Sequence, residues 1–141
     1  FLDEGHFVVM PVDIHDIDYT YHPETKQFPP HNIRGTVGRH LYGTLQELYE
    51  DRQDEILWMD KTRFSAFAGT DLEIRLRSLG ITELHLVGVC TDICILHTSV
   101  DAYNRGFKIV IHERGVASFD PAGHEWALRH LENTLGATVI G

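Results

Sequence analysis

The chain has 141 residues, 43% of them hydrophobic and 23% charged, which suits one globular domain with a buried core. Its formal net charge of −9 argues against nucleic acid or an anionic membrane as a partner, because stripes of Lys and Arg bind phosphate groups. No apolar run approaches the roughly 18 residues of a membrane helix, and residues 1–6 lack the basic and apolar regions of a signal peptide.

Strand-like and helix-like segments alternate along the chain. Strands are predicted at residues 7–13, 56–59, 84–89, 107–111 and 138–140, and helices at 71–80, 91–105 and 122–136. Residues 14–43 are rich in Gly, Pro, His and Asn, and connections of this length are often functional. The alternation predicts a single α/β domain over residues 1–141 with a mainly parallel sheet.

Side chains with useful chemistry follow the ends of three predicted strands. Asp13 and Lys61 each end or follow a strand, and residues 90–94 follow another. Because parallel sheets bind ligands beyond the carboxyl ends of their strands, we expect these three segments to converge on one edge.

Cys94 is a candidate nucleophile. Thr91 suits the N-cap of the following helix and Asp92 its first turn, so Cys94 falls at about the third helical position. Unpaired backbone N–H groups at a helix start lower the pKa of a thiol, and a cation such as Lys61 lowers it further. The alternative is an inert buried thiol, which is the usual state of a free cysteine.

The two cysteines, Cys90 and Cys94, are one helical turn apart, so a disulfide between them would add little stability. Free thiols suit a reducing compartment, and we expect a cytoplasmic protein. We interpret Cys90 as a packing or backbone residue beside the pocket, and His97 as packed or solvated rather than paired with the thiol. Four further residues are interpreted as surface: His112, Glu113, His124 and His130.

A candidate metal site begins at the end of the first strand. Asp13 and His15 project from the same face if the strand remains extended, and the long loop adds His22, Glu24 and, after a stiff Pro-Pro pair, His31. Imidazole and carboxylate ligands suit zinc, iron or manganese rather than calcium. Taken singly, each residue is equally compatible with a solvated loop position, and the spacing leaves both interpretations open.

Four stretches of the chain closely resemble the nicotinamidases of the isochorismatase-like cysteine hydrolase superfamily. They are Val-Asp-Ile-His at 12–15, Phe-Pro-Pro-His-Asn-Ile-Arg-Gly-Thr at 28–36, Trp-Met-Asp-Lys at 58–61 with Ser-Ala-Phe-Ala-Gly-Thr-Asp at 65–71, and Gly-Val-Cys-Thr-Asp-Ile-Cys-Ile at 88–95. Thr-Asp-x-Cys marks the superfamily, and Asp-x-His followed by Pro-Pro-His marks the nicotinamidase branch. The resemblance spans essentially the whole chain and implies a Rossmann-like three-layer αβα fold.

The resemblance also implies roles for particular residues. Lys61 and Cys94 match two members of an Asp–Lys–Cys triad, and the backbone N–H groups of Cys90 and Cys94 match an oxyanion hole beside a cis peptide between Val89 and Cys90. Phe28 and Phe64 match aromatic positions that border the pocket for a pyridine ring. One divalent metal ion, zinc in preference to iron or manganese, would have these ligands: Asp13, His15, Glu24 and His31.

The third member of the triad falls outside the chain. In the family, the catalytic Asp ends a first strand that lies centrally in the sheet and precedes the Asp-x-His strand. We therefore expect residues 1–141 to be an N-terminally incomplete domain without that strand and its helix. Asp3 is no substitute, because only Phe1 and Leu2 precede it and it matches a helix end.

The expected reaction is hydrolysis of nicotinamide to nicotinate and ammonia through a thioester on Cys94, a step of pyridine nucleotide salvage, with pyrazinamide as a second substrate and a homo-oligomer as the assembly. Three alternatives stay open. The chain could be another cysteine amidase of the superfamily, or an isochorismatase relative that hydrolyses an ether without a thiol. It could also be an inactive metal-binding or partner-binding domain, because the Asp is missing.

Overall fold

A computed structural model describes residues 1–141, which form five strands and four α-helices. The strands are β1 Val8–Asp13, β2 Ile56–Lys61, β3 Glu83–Val89, β4 Lys108–Ala117 and β5 Thr138–Ile140. The helices are α1 Thr44–Arg52, α2 Leu72–Ser78, α3 Leu96–Asn104 and α4 Pro121–Leu135. Every strand pair is parallel, which confirms the predicted α/β class. None of the helices combines the length and apolar character that crossing a membrane requires.

The first of two units, Phe1–Thr62, contains β1, α1 and β2. Strands β1 and β2 run side by side in a register that ends with Asp13 opposite Lys61. The long loop returns to the end of β1 through an isolated bridge between His15 and Ile33. This bridge holds the histidine-rich part of the loop beside the carboxyl end of the sheet.

The second unit, Arg63–Gly141, contains a three-stranded sheet in the order β3-β4-β5. Its core is apolar, with Ala102, Ile111, Ala127 and Leu131 completely buried. Helix α4 starts with the side chain of Asp120 accepting a hydrogen bond from the Ala122 N–H at 3.1 Å, as an N-cap does. It ends at Gly136, whose left-handed conformation favours glycine.

The structure departs from the sequence-based expectation in four places. Strand β4 continues to Ala117, six residues beyond its predicted end at residue 111. Helix α1 was not predicted, because its apolar Leu45, Leu48 and Tyr49 cover only one narrow stripe and none of its residues is fully buried. The predicted helix 91–105 begins instead with a turn of π-helix, Thr91–Ile95, and continues as α3. The strands form two separate hydrogen-bonded sheets, β1-β2 and β3-β4-β5, rather than one.

Candidate active site and metal centre

Lys61 and Asp13 form an ion pair where β1 and β2 end. The Lys61 ammonium donates a hydrogen bond to Asp13 Oδ1, and only 5% of the lysine side chain is exposed. A buried ammonium needs such a partner because desolvation penalises an unpaired charge. The strand register therefore fixes the position of Lys61, the cation expected to act in catalysis. The Lys61 ammonium engages one carboxylate oxygen of Asp13, which is a predicted metal ligand.

His15, Glu24 and His31 meet next to this pair. His15 Nε2 lies 3.4 Å from Glu24 Oε2, and His31 Nε2 lies 3.5 Å from the same oxygen. The side chains of His15 and Glu24 are 10% and 8% exposed, whereas that of His31 is 38% exposed. Two imidazoles thus converge on one carboxylate, and His31 is the most exposed of the three side chains.

The hydrogen bonds of the two rings leave both Nε2 atoms able to bind a metal. His15 Nδ1 donates to the carbonyl of His31 at 3.0 Å, and His31 Nδ1 donates to the carbonyl of Pro29 at 2.8 Å, since a carbonyl can only accept. The remaining lone pairs are on Nε2, and His15 Nε2 is buried without a hydrogen bond. Metal-binding histidines characteristically donate their other ring N–H in this way. The donor set fits a divalent cation such as zinc.

His22 lies within the same group, where its ligand atom is within 4.8 Å of those of His15 and Glu24. It is only 1% exposed, and both of its ring nitrogens are engaged. Nε2 donates to the carbonyl of Thr62 at 2.5 Å, and Nδ1 accepts from the Glu24 N–H at 3.2 Å. His22 therefore orients Glu24 and has no lone pair left for a metal.

A small cavity of about 100 Å³ adjoins this centre. Phe28 borders it, with its ring centroid 6.3 Å from that of His31 in an edge-to-face arrangement. The apolar part of the wall is completed by Ile17, Pro29, Pro30 and Ile33. The cavity thus has an apolar wall beside the imidazoles, which suits a flat, partly apolar ligand.

Arginines stabilise two carboxylates close to this loop. The hydrogen bond from Arg34 lowers the pKa of Asp16. Burial raises the pKa of Asp60, but hydrogen bonds from Arg39 and from the indole of Trp58 outweigh burial and lower it overall. Arg39 also donates to the carbonyl of Asp13 at 2.9 Å, so it ties the loop to the end of β1.

The cysteine segment lies in the second unit. The peptide between Val89 and Cys90 is cis, as the resemblance implies. The carbonyl of Cys90 accepts hydrogen bonds from the N–H groups of Ile93 and Ile95, both at 3.1 Å, which closes the π turn. Neither cysteine forms a disulfide and both are partly buried. Turns of π-helix are rare and often lie at functional sites.

Two aromatic side chains lie near this segment. The rings of Phe64 and His97 are 5.5 Å apart, and His97 Nδ1 donates to the carbonyl of Ile93 at 2.7 Å. His97 is thus a solvated histidine hydrogen-bonded to its own helix, in agreement with its interpretation from the sequence. Asp3 is 91% exposed and pairs with Arg52, which agrees with its exclusion as a catalytic base.

His124 has a contact that its interpretation as a surface residue did not include. Its Nδ1 is hydrogen-bonded to the hydroxyl of Thr91 at 2.8 Å, and Thr91 is completely buried. The neighbouring Asp92 accepts a hydrogen bond from the hydroxyl of Ser118 at 2.7 Å. These contacts join residues about thirty positions apart, and no local pattern predicts them.

Comparison with known proteins agrees with this architecture. The isochorismatase domain model matches residues 3–141. An uncharacterised isochorismatase family protein, PncA of Bacillus subtilis, is 59% identical over 141 residues, covering 99% of this chain and 77% of the relative. The chain therefore belongs to the isochorismatase family.

Solved structures refine this assignment within the family. The crystal structure of nicotinamidase/pyrazinamidase PncA from Bacillus subtilis matches with a TM-score of 0.98 at 59% identity, covering 100% of this chain and 78% of that one. The structure of Pyrococcus horikoshii pyrazinamidase in complex with zinc matches with a TM-score of 0.85 at 25% identity, covering 99% of this chain and 78% of that one. Together with the fold, these likenesses make the chain an amidohydrolase of the family.

Proposed function

We propose that the protein hydrolyses nicotinamide to nicotinate and ammonia, with Cys94 as the nucleophile. The observation that carries the proposal is the convergence of His15 Nε2 and His31 Nε2 on Glu24, in a chain that also carries Thr-Asp-x-Cys. An amidase that works without a metal does not require this set of nitrogen and oxygen donors. Pyrazinamide, which also has a ring nitrogen, is the second expected substrate.

His15, Glu24 and His31 would hold the divalent metal, and Asp13 would add the oxygen that Lys61 does not engage. Zinc is the proposed ion, because imidazole and carboxylate ligands suit it and a related pyrazinamidase is crystallised with it. A bound metal would supply a ligand position for the pyridine nitrogen, so its contribution is orientation of the ring. In the proposal Phe28 and Phe64 border that ring.

The covalent steps belong to the protein's own groups. The Cys94 thiolate attacks the carboxamide carbon, the C–N bond breaks, and the nitrogen leaves as ammonia after taking up a proton. The backbone N–H groups of Cys90 and Cys94 stabilise the oxyanion, and Lys61 stabilises the thiolate. Water then hydrolyses the thioester and restores the thiol. The resemblance assigns the general base to an Asp upstream of residue 1, which would take the proton from the Cys94 thiol and give it to the leaving nitrogen.

We further propose one domain over residues 1–141, a cytoplasmic location, a role in pyridine nucleotide salvage and a homo-oligomeric enzyme. Neither Cys90 nor Cys94 forms a disulfide, which supports the location, since reducing compartments keep cysteines unoxidised.

Release of ammonia from nicotinamide tests the function directly. It should be measured on residues 1–141 and on a chain extended upstream of Phe1, each loaded with zinc. The extended chain should release ammonia, and its failure to do so would contradict the proposal for nicotinamide. Release by residues 1–141 alone would refute the assignment of the base to an upstream Asp.

A further inference from the structure

A glycine in the first turn of α4 lies against the carboxylate of Asp92. A Cβ added at Gly123 would lie 2.2 Å from Asp92 Oδ2 and 2.9 Å from Asp120 Oδ2, both below the 3.0 Å that real Cβ atoms respect. Gly123 has an ordinary helical φ, so the backbone does not require glycine there. Glycine within a helix is less favourable than alanine. The space that a Cβ would need is taken by two carboxylates, and that of Asp92 makes the shorter contact.

The carboxylate that fills this space belongs to the cysteine segment. Asp92 Oδ1 accepts from the hydroxyl of Ser118 at 2.7 Å, and that hydroxyl accepts from the Asp120 N–H at 3.2 Å. The carboxylate is therefore held at the N-terminus of a fifteen-residue helix, where the helix dipole favours a negative charge.

A second contact holds the same segment. The buried hydroxyl of Thr91 is hydrogen-bonded to His124 Nδ1 at 2.8 Å, one residue after Gly123 on α4. Two consecutive residues of the π turn are thus attached to the first turn of α4. They lie between Cys90 and Cys94, the residues whose thiol and backbone N–H groups the proposed reaction uses.

We propose that Asp92 is a positioning residue for Cys94. Held by Ser118 and accommodated by Gly123, it fixes the π turn so that the Cys94 thiol is correctly placed relative to the backbone N–H groups of Cys90 and Cys94. The inference rests on the proposed function for its effect on turnover, but its effect on the thiol can be measured without any substrate. A reacting atom displaced by about 1 Å can cost on the order of a hundredfold in rate. Substitutions in the first turn of α4 that displace Asp92 should therefore also displace the Cys94 thiol.

Two substitutions between uncharged residues, Gly123→Ala and Ser118→Ala, test the positioning role of Asp92. Neither changes the charge of the protein, so a change in thiol reactivity cannot be a direct Coulomb effect. The first readout is the rate of Cys94 alkylation by iodoacetamide against pH, resolved from Cys90 by tandem mass spectrometry of the tryptic peptide 78–105. In each variant the alkylation profile should move to higher pH, while the melting temperature stays near that of wild type.

The second readout is turnover of the zinc-loaded chain that hydrolyses nicotinamide. In each variant kcat should fall on the order of tenfold or more with KM unchanged. Because both substitutions act through Asp92, the double variant should be no worse than the more impaired single variant. Asp92→Asn, which keeps an acceptor for the Ser118 hydroxyl, should retain the reactivity that Gly123→Ala loses.

The matched control is Gly38→Ala. Gly38 also has an ordinary φ, and its added Cβ would meet Thr36 Oγ1 at an unstrained 3.5 Å, so neither readout should change. An unchanged alkylation profile in a folded Gly123→Ala variant, or additive effects in the double variant, would overturn the inference. If Gly123→Ala does not fold, Ser118→Ala alone decides by the same profile. If no chain hydrolyses nicotinamide, the alkylation data still decide the positioning role.

Discussion

His15 and His22 are two buried histidines in one loop with different hydrogen-bonding capacity. His15 Nε2 is buried and makes no hydrogen bond, whereas both ring nitrogens of His22 are hydrogen-bonded to the backbone. We expect His15→Ala to abolish zinc binding, because it removes a ligand. We expect His22→Phe to retain one zinc per chain at reduced affinity, in the range of 10-fold to 100-fold, because it only releases Glu24.

Zinc titration by calorimetry measures both variants against wild type. His97→Ala serves as the control, since this exposed histidine bonds only to its own helix and should leave zinc affinity unchanged. Complete loss of zinc from His22→Phe, with His15→Ala still binding, would show that the ligand set is wrong.

Catalysis by Cys94 and zinc binding by the metal ligands should respond separately to substitution. Cys94→Ala should abolish ammonia release, because the nucleophile is lost, while the zinc content stays at the wild-type value. All four proposed ligands come from Phe1–Thr62, and Cys94 belongs to the other unit. Activity assays paired with elemental analysis test this, and loss of zinc in Cys94→Ala would show that the thiol takes part in the metal site.

His31 is the most exposed member of the metal centre, and its substitution should weaken the binding of both nicotinamide and zinc. His31→Ala should raise KM for nicotinamide and weaken zinc binding, because the ring nitrogen of the substrate loses its anchor. Steady-state kinetics at saturating zinc separate the two effects. An unchanged KM would count against a role for the metal in holding the ring.

At the scale of elements, the Arg39–Asp60 pair attaches the loop to the end of β2. Because the folded pKa of Asp60 is below its ordinary value of 3.8, the ionised carboxylate stabilises the fold above that pH. The contribution is lost as the pH falls through the folded pKa. Asp60→Asn should therefore lose less unfolding free energy than wild type between about pH 5 and pH 3. The side chain is 48% exposed, so solvent screening keeps the effect small.

Urea unfolding at several pH values measures this effect. Asp54→Asn makes the same charge change at an exposed carboxylate and should preserve the wild-type slope of stability against pH. A wild-type slope in Asp60→Asn would show that the ion pair contributes nothing to the fold.

The elements also show what could be predicted from the sequence. Strands β1, β2 and β3 could be predicted from short apolar runs. Ligand sites of parallel sheets lie beyond the carboxyl ends of the strands, and this rule singled out Asp13, Lys61 and Cys94 as candidate site residues. The π turn, the tautomer of His22 and the contact between Thr91 and His124 could not be predicted in this way. Each depends on a hydrogen bond between residues that the fold brings together, and such bonds leave no periodicity in the sequence.

For the molecule as a whole, the division into Phe1–Thr62 and Arg63–Gly141 predicts where zinc will stabilise the chain. A ligand at one hundred times its Kd stabilises the bound state by about 2.7 kcal/mol. Because all the proposed ligands belong to the first unit, this energy should oppose local opening there. Hydrogen exchange measured by mass spectrometry should slow with zinc in peptides covering residues 13–33, with little change in residues 83–141. His15→Ala should remove the effect, and equal protection of both units in wild type would contradict a metal site confined to the first.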